Sequence, residues 1–245
     1  MQPQEILART AHRSSAFPKR PWKYYQEWND ALFLHWAVEE TKLREFVPSD
    51  LEIDLFSGKP WVSVVAFTMN NIRPRYLPPF PPISDFHEIN IRTYVTKNNK
   101  SGVYFLSIEA SKKTSSMVSR LVSRLPYRYA KMKRHDCVYQ SGNPGSGDRL
   151  TIHYNIGDRV KEKAAIDTWL TERYALYQEA ENAMLDFDVH HDEWAVHKLH
   201  LSQVDITYPR FQQLLDNTPQ ITHYSPGVGV VAWSPNSTNR LTGRY

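Results

Sequence analysis

Alternation of polar and apolar positions is strictest between Glu88 and Val95. Glu88, Asn90, Arg92 and Tyr94 fall on one face of an extended segment, and Ile89, Ile91, Thr93 and Val95 on the other. The pattern predicts a strand backed by an apolar core, whose polar face is either a solvated sheet surface or the wall of a pocket. Trp61–Met69 is apolar on both faces and reads as a central strand. Val103–Ala110 reads as the strand that returns after a turn over Lys97–Gly102. Further strands are predicted over Tyr127–Tyr139, Leu150–Tyr154, Met184–His190, Leu199–Thr207 and Val228–Ser234.

Helical spacing is confined to Glu39–Val47, which Pro48 ends, to Ser111–Leu125 and Ile166–Tyr177, and to a short stretch over Pro209–Leu215. Arg73–Pro82 is rich in proline and reads as a stiff loop packed on its own domain. No repeat or flexible linker divides the chain, so the reading is an N-terminal tail over residues 1–23, loosely docked, and a single domain over 24–245.

Composition narrows the class. With 14 Tyr, 7 Trp and 10 Phe, the chain has the flat rings that pleated, half-buried strands pack well, which favours an α+β fold that is mainly antiparallel β. A net charge of +4 spread over 245 residues does not make the concentrated positive field of a nucleic-acid binder. Cys137 is the only cysteine, so no intrachain disulfide and no paired-cysteine metal or redox motif exists, and a cytoplasmic setting is expected. No apolar run is long enough to span a bilayer, so no membrane association is expected. His190 and His191 sit beside Asp188 and Asp192, but neighbouring strand residues point to opposite faces, so no metal site is assigned.

An ordered set of short motifs carries a family resemblance: Leu34-His35-Trp36, Leu51-Glu52-Ile53-Asp54, Trp61-Val62-Ser63-Val64-Val65, Arg73-Pro74-Arg75, the Glu88–Val95 strand, Gly102-Val103, Leu125-Pro126-Tyr127 and Leu170-Thr171-Glu172-Arg173-Tyr174. In this order they resemble the YqjF-like family of uncharacterised proteins, grouped with the acetoacetate-decarboxylase-like superfamily. The resemblance implies a strongly curved antiparallel sheet forming a barrel or cone, with flanking helices and a central ligand cavity.

Acetoacetate decarboxylase forms a Schiff base through a lysine that follows a proline. The similar segment here is Pro126-Tyr127-Arg128, which puts Tyr127 at the nucleophile position and Arg128 beside it. A guanidinium stays protonated and forms no imine. Lys131, four residues on, would sit on the order of 13 Å from Tyr127 along a strand. The resemblance matches Glu88 to the glutamate that shapes the substrate end of the cavity.

The candidate site is therefore Glu88 as the acid–base group, with Arg92, Asn90, Tyr94, Tyr127, Arg128 and His35 as ligand-binding groups. His35, set between Leu34 and Trp36, also reads as an ordinary core histidine. The expected partner is a small organic acid or carbonyl compound, handled by acid–base chemistry without an imine and without a cofactor or metal; a homo-oligomer is left open. The alternative is a non-catalytic scaffold that has kept the fold and lost the lysine.

Overall fold

A computed structural model describes residues 2–114, 125–180 and 183–239. Fourteen strands form one continuous hydrogen-bonded system. In chain order they begin with β1 (Tyr24–Ala37), β2 (Glu52–Ile53), β3 (Trp61–Pro74), β4 (Phe86–Lys97) and β5 (Lys100–Ala110). The short strands β6 (Tyr127–Tyr129), β7 (Lys131–His135) and β8 (Val138–Asn143) lead to β9 (Asp148–Arg159). The chain ends with β10 (Ala175–Ala180), β11 (Ala183–His191), β12 (His197–Thr207), β13 (Ile221–Ala232) and β14 (Asn236–Asn239). Helices are few and short: α1 (Pro3–Ala8), α2 (Glu40–Arg44), α3 (Pro81–Ser84) and α4 (Ala165–Thr171).

Seven strands close on themselves in the order β11–β10–β5–β4–β3–β1–β13, and Val189–His191 of β11 pairs with Val230–Ala232 of β13 to seal the barrel. At its other end β13 pairs with β12, which carries β9, β8 and β7 as a second sheet. The strands β1, β3 and β4 therefore have two apolar neighbourhoods. Phe33, Val65, Phe67 and Tyr94 point into the barrel, while Leu34, Val64, Ile89 and Ile91 pack outward against Tyr139, Ile152 and Leu199 of the second sheet. Trp61–Met69 is buried on both faces for this reason. So is Glu88–Val95, whose polar residues face the barrel interior and not solvent.

Several sequence expectations change in three dimensions. The helix expected over Ile166–Tyr177 stops at Thr171, and Tyr177 lies in β10, held in parallel pairing to β5 and antiparallel pairing to β11. Buried aromatic residues satisfy either spacing, so tertiary pairing decided between them. The strand expected over Tyr127–Tyr139 breaks at Ala130, which enters the second core, and turns at Asp136 with φ 47°. Pro209–Phe211 is a single 3-10 turn. Most of the helix expected over Ser111–Leu125, including Met117, Val118, Leu121 and Val122, lies outside the described residues.

The proline-rich loop is less packed than expected, because Tyr76, Leu77 and Phe80 are exposed. The N-terminal segment, by contrast, is docked. Ile6 is fully buried against Tyr25, Val231 and Trp233, and the side chain of Arg13 is almost completely covered, bonded to the Val189 carbonyl beside the seam.

Gly102 shows how tightly β5 and β10 approach. A Cβ there would lie 2.7 Å from the Ala175 carbonyl oxygen and 2.9 Å from the Tyr177 ring, and the backbone oxygen cannot rotate away. Gly102→Ala is expected to destabilise the fold by about 1–3 kcal/mol. The check is urea unfolding, where a lower midpoint is expected and a wild-type midpoint would show that the two strands have room to spare.

Candidate functional site

The barrel encloses a cavity of about 280 Å³, close to the smallest volumes typical of small-molecule sites. Its lining runs from the strand ends Tyr24, Pro74 and Ala232 to Thr171 at the end of α4 and Arg173 just after it. The walls are mostly apolar, built from Phe33, Phe67, Leu176, Phe187 and Trp194. Against them runs the polar stripe of β4. Glu88, Asn90 and Arg92 all line the cavity at alternate positions, about 7 Å apart, as strand geometry requires.

Glu88 is 3% exposed. Its Oε2 accepts a hydrogen bond of 2.9 Å from the Tyr127 hydroxyl, and its Oε1 one of 3.3 Å from the Asn90 amide. Both bonds favour the carboxylate, yet loss of hydration outweighs them and raises the Glu88 pKa to about 7. The same burial, together with the carboxylate beside it, drives the Tyr127 hydroxyl well above its ordinary value. Glu88 is thus a carboxyl that gains or loses a proton near neutral pH, as acid–base work requires.

Arg92 presents the opposite case. It is 9% exposed and has no carboxylate within ion-pair distance among the described residues. One guanidinium nitrogen reaches the Leu170 carbonyl at 3.4 Å, and its Nε has no partner among them. Asn90 Oδ1 and Arg173 Nη2 are likewise unpartnered there. Each such group costs about 1–3 kcal/mol when buried, so three residues of the lining carry unmet polar demands. Arg173 has its own counter-ion in Asp54 at 2.6 Å, and burial lowers its pKa.

Four of the sequence-predicted residues, Glu88, Asn90, Arg92 and Tyr127, are thus brought together on the cavity wall. The other three do not line it. Arg128 follows Tyr127 and points to the opposite face, where it bonds Ser107, Glu109 and Asp148. Tyr94 and His35 lie beneath the cavity floor in a buried polar line with Ser63. Lys131 and Lys133 are exposed on β7, and no described residue lining the cavity is a lysine.

Arg173 and His191 also line the cavity and were not assigned from the sequence. Arg173 was already visible inside the Leu170–Tyr174 motif, next to residues that read as a helix. His191 is fully buried, with its pKa lowered by burial, and alternates with His190, whose ring instead bonds the carbonyls of Ile6 and Arg9. Its signal was the alternation itself.

Comparison with known proteins follows the geometry. The DUF2071 family profile, described as an uncharacterized conserved protein, matches residues 25–229. The chain belongs to that family. It is 35% identical to the uncharacterized protein YqjF of Bacillus subtilis (strain 168), over 93% of this chain and 98% of YqjF.

Among solved structures it resembles acetoacetate decarboxylase from Legionella pneumophila, with a TM-score of 0.63 at 12% identity over 92% of each chain. It also resembles the enduracididine biosynthesis enzyme MppR complexed with pyruvate, with a TM-score of 0.59 at 12% identity over 91% of this chain and 93% of MppR. These similarities establish an acetoacetate-decarboxylase-like fold for this DUF2071 member. Among its described residues no helix is long and apolar enough to cross a membrane.

The raised pKa of Glu88 has a stability consequence with a definite sign. Between its ordinary value of 4.5 and about 7 the folded state holds a proton that the unfolded state has lost, so stability falls as pH rises through that window, by up to about 3 kcal/mol. In Glu88→Gln this contribution is absent. Paired chemical denaturation at pH 5 and pH 8 is expected to show the variant gaining about 2–3 kcal/mol on wild type at the higher pH. Parallel pH profiles for the two proteins would mean that Glu88 stays ionised in the fold.

Proposed function

We propose that the barrel binds a small organic monoacid carrying a carbonyl or hydroxyl group, with its carboxylate on Arg92 and its reactive end toward Glu88. The observation that carries this reading is Arg92: a buried guanidinium facing an apolar cavity with no carboxylate of its own among the described residues. An unpaired buried charge costs several kcal/mol, and a bound carboxylate offsets that cost through bidentate hydrogen bonds. The neighbouring Arg173 is already neutralised by Asp54, which favours a ligand with one negative charge over a dianion. Asn90 Oδ1 and the protonated Glu88 supply an acceptor and a donor for the uncharged end.

Proton transfer at the ligand's carbonyl or adjacent carbon is the chemistry this set supports. Tyr127 stands where the family resemblance places the Schiff-base lysine, and a buried phenol held to Glu88 forms no imine, so its role is to hold the carboxyl in place. Exposed Tyr76, Leu77 and Phe80 provide the surface that a scaffold reading calls for. The unfilled cavity, with Glu88, Asn90 and Arg92 in its otherwise apolar wall, weighs more heavily, since a barrel that had lost ligand binding would lose nothing by filling it with apolar side chains.

Thermal unfolding with a panel of 2-oxo, 3-oxo and 2-hydroxy monocarboxylates, pyruvate included, tests the reading. A ligand at a hundred times its dissociation constant adds about 2.7 kcal/mol. Stabilisation by at least one member is expected, and Arg92→Gln is expected to lose it. No response in wild type, or an equal response in Arg92→Gln, would overturn the proposal. Borohydride treatment with pyruvate is expected to leave the protein unlabelled, and a trapped lysine adduct would refute the imine-free chemistry.

A further inference from the structure

Beneath the cavity floor runs a line of polar side chains that the proposed ligand site does not use. Asp167 Oδ1 lies 3.0 Å from His223 Nε2, and His223 Nδ1 lies 3.2 Å from His35 Nε2. His35 Nδ1 is 2.6 Å from Ser63 Oγ, which is 2.6 Å from the Tyr94 hydroxyl, and that hydroxyl is 3.0 Å from the Leu170 carbonyl. The line leaves α4 in its first turn and returns to it in its last. Its members come from β13, β1, β3 and β4, all on the barrel's inner face.

The hydrogens in this line do not balance. Ionised Asp167 and the Leu170 carbonyl, at the two ends, only accept. Between them stand two imidazoles and two hydroxyls, each carrying a single hydrogen when neutral. Four hydrogens have to serve five donor–acceptor links. Every neutral arrangement therefore leaves one link with lone pair facing lone pair, and one further proton, converting an imidazole to imidazolium, fills them all.

The line is also tied to the anion site. Arg92 and Tyr94 share the Leu170 carbonyl, and Phe33 lies against both the Arg92 guanidinium and the His35 ring. The charged and titratable groups facing the histidine pair are Arg92 and Tyr94 from β4, Asp167 from α4 and Lys163 just before it. Burial lowers both imidazoles; His223 and then Arg92 lower His35 further, while at His223 the opposing pull of Asp167, with Lys163 acting against it, does not outweigh burial, so the ligand-free pair favours its neutral forms near pH 7.

We propose that the Asp167–His223–His35–Ser63–Tyr94 line is a one-proton store that fills when an anion neutralises Arg92. The proton enters from solvent at Asp167, whose side chain is 17% exposed, and a shift of hydrogens along the line lets all five links form at once, the Tyr94–Leu170 bond beside Arg92 among them. By linkage, lower pH tightens anion binding by the same factor that the anion raises proton affinity. The proposal rests on the reading of Arg92 as an anion site, but its proton count does not.

Nitrogen-15 spectra of histidine-labelled full-length protein, titrated from pH 8 to pH 5, read the imidazole states directly. One proton shared by the His35–His223 pair is expected. Arg92→Gln, which removes the cation as an anion would neutralise it, is expected to raise the pair's proton affinity about tenfold. Ser63→Ala shortens the line so that neutral rings satisfy every remaining link, and is expected to lower that affinity about tenfold. Calorimetry with pyruvate in buffers of different ionisation enthalpy, at a pH between the free and the anion-bound midpoints of the pair, should show about half a proton taken up on binding, the most that a tenfold rise in proton affinity allows.

A pair that stays neutral down to pH 5 in wild type and in Arg92→Gln, or whose midpoint is unmoved by both substitutions, overturns the store. Pyruvate binding without proton uptake overturns the coupling. Failure of pyruvate to bind counts against the proposed ligand, while the histidine titrations still decide the store.

Discussion

A strand buried on both faces has no solvated side on which to leave a charge, and β4 is such a strand. Its apolar face is covered by the second sheet, so Glu88, Asn90 and Arg92 are forced into the barrel, where hydration is lost and the local dielectric is low. The chain meets that cost differently at each position. Glu88 takes up a proton near neutrality and is held by Tyr127; Arg173, delivered from the end of α4, keeps Asp54 as its counter-ion. Arg92 is left with one long bond to a carbonyl, and its uncompensated charge gives the cavity its direction.

The helix α4 joins the barrel's mechanics to this electrostatics. Its Asp167 is fixed by the Ala164 amide and by His223, while its last turn supplies the Leu170 carbonyl to Tyr94 and Arg92. A helix of two turns has little stability of its own, so its position depends on these side-chain links and on Leu170 buried in the barrel interior. Displacing α4 would move the floor of the cavity and both guanidiniums together. The fold is acetoacetate-decarboxylase-like, and its interior carries the Glu88 carboxyl bonded to the Tyr127 phenol, with the His35–His223 pair beneath them.

Most strands were legible in the sequence because sustained alternation of polar and apolar residues fits a period of two and no helical period. The residues Glu88, Asn90 and Arg92 could be grouped on one face from their spacing alone, and Tyr127 and Arg128 could be assigned to opposite faces by the same rule. The rule failed at Tyr127–Tyr139, where the break at Ala130 changes which core receives the side chains, and at Tyr177, where aromatic burial fits a helix or a strand equally well. Arg173 stood inside a family motif and His191 alternated with His190, but neither position said that its side chain faced a cavity.

Local periodicity, then, determined the elements and the family motifs carried the fold, since both depend on residues close together in the chain. Tertiary structure alone decided which face was inside. A period of two residues separates the faces of a strand without labelling either one, and only the pairing of β11 with β13, together with the second sheet laid over β1, β3 and β4, turned the polar face of β4 into an interior wall. The link between Asp167 and Tyr94 through two histidines and a serine belongs to the same class. Its members come from five separate elements, and only closure of the barrel brings their donors and acceptors within reach of one another.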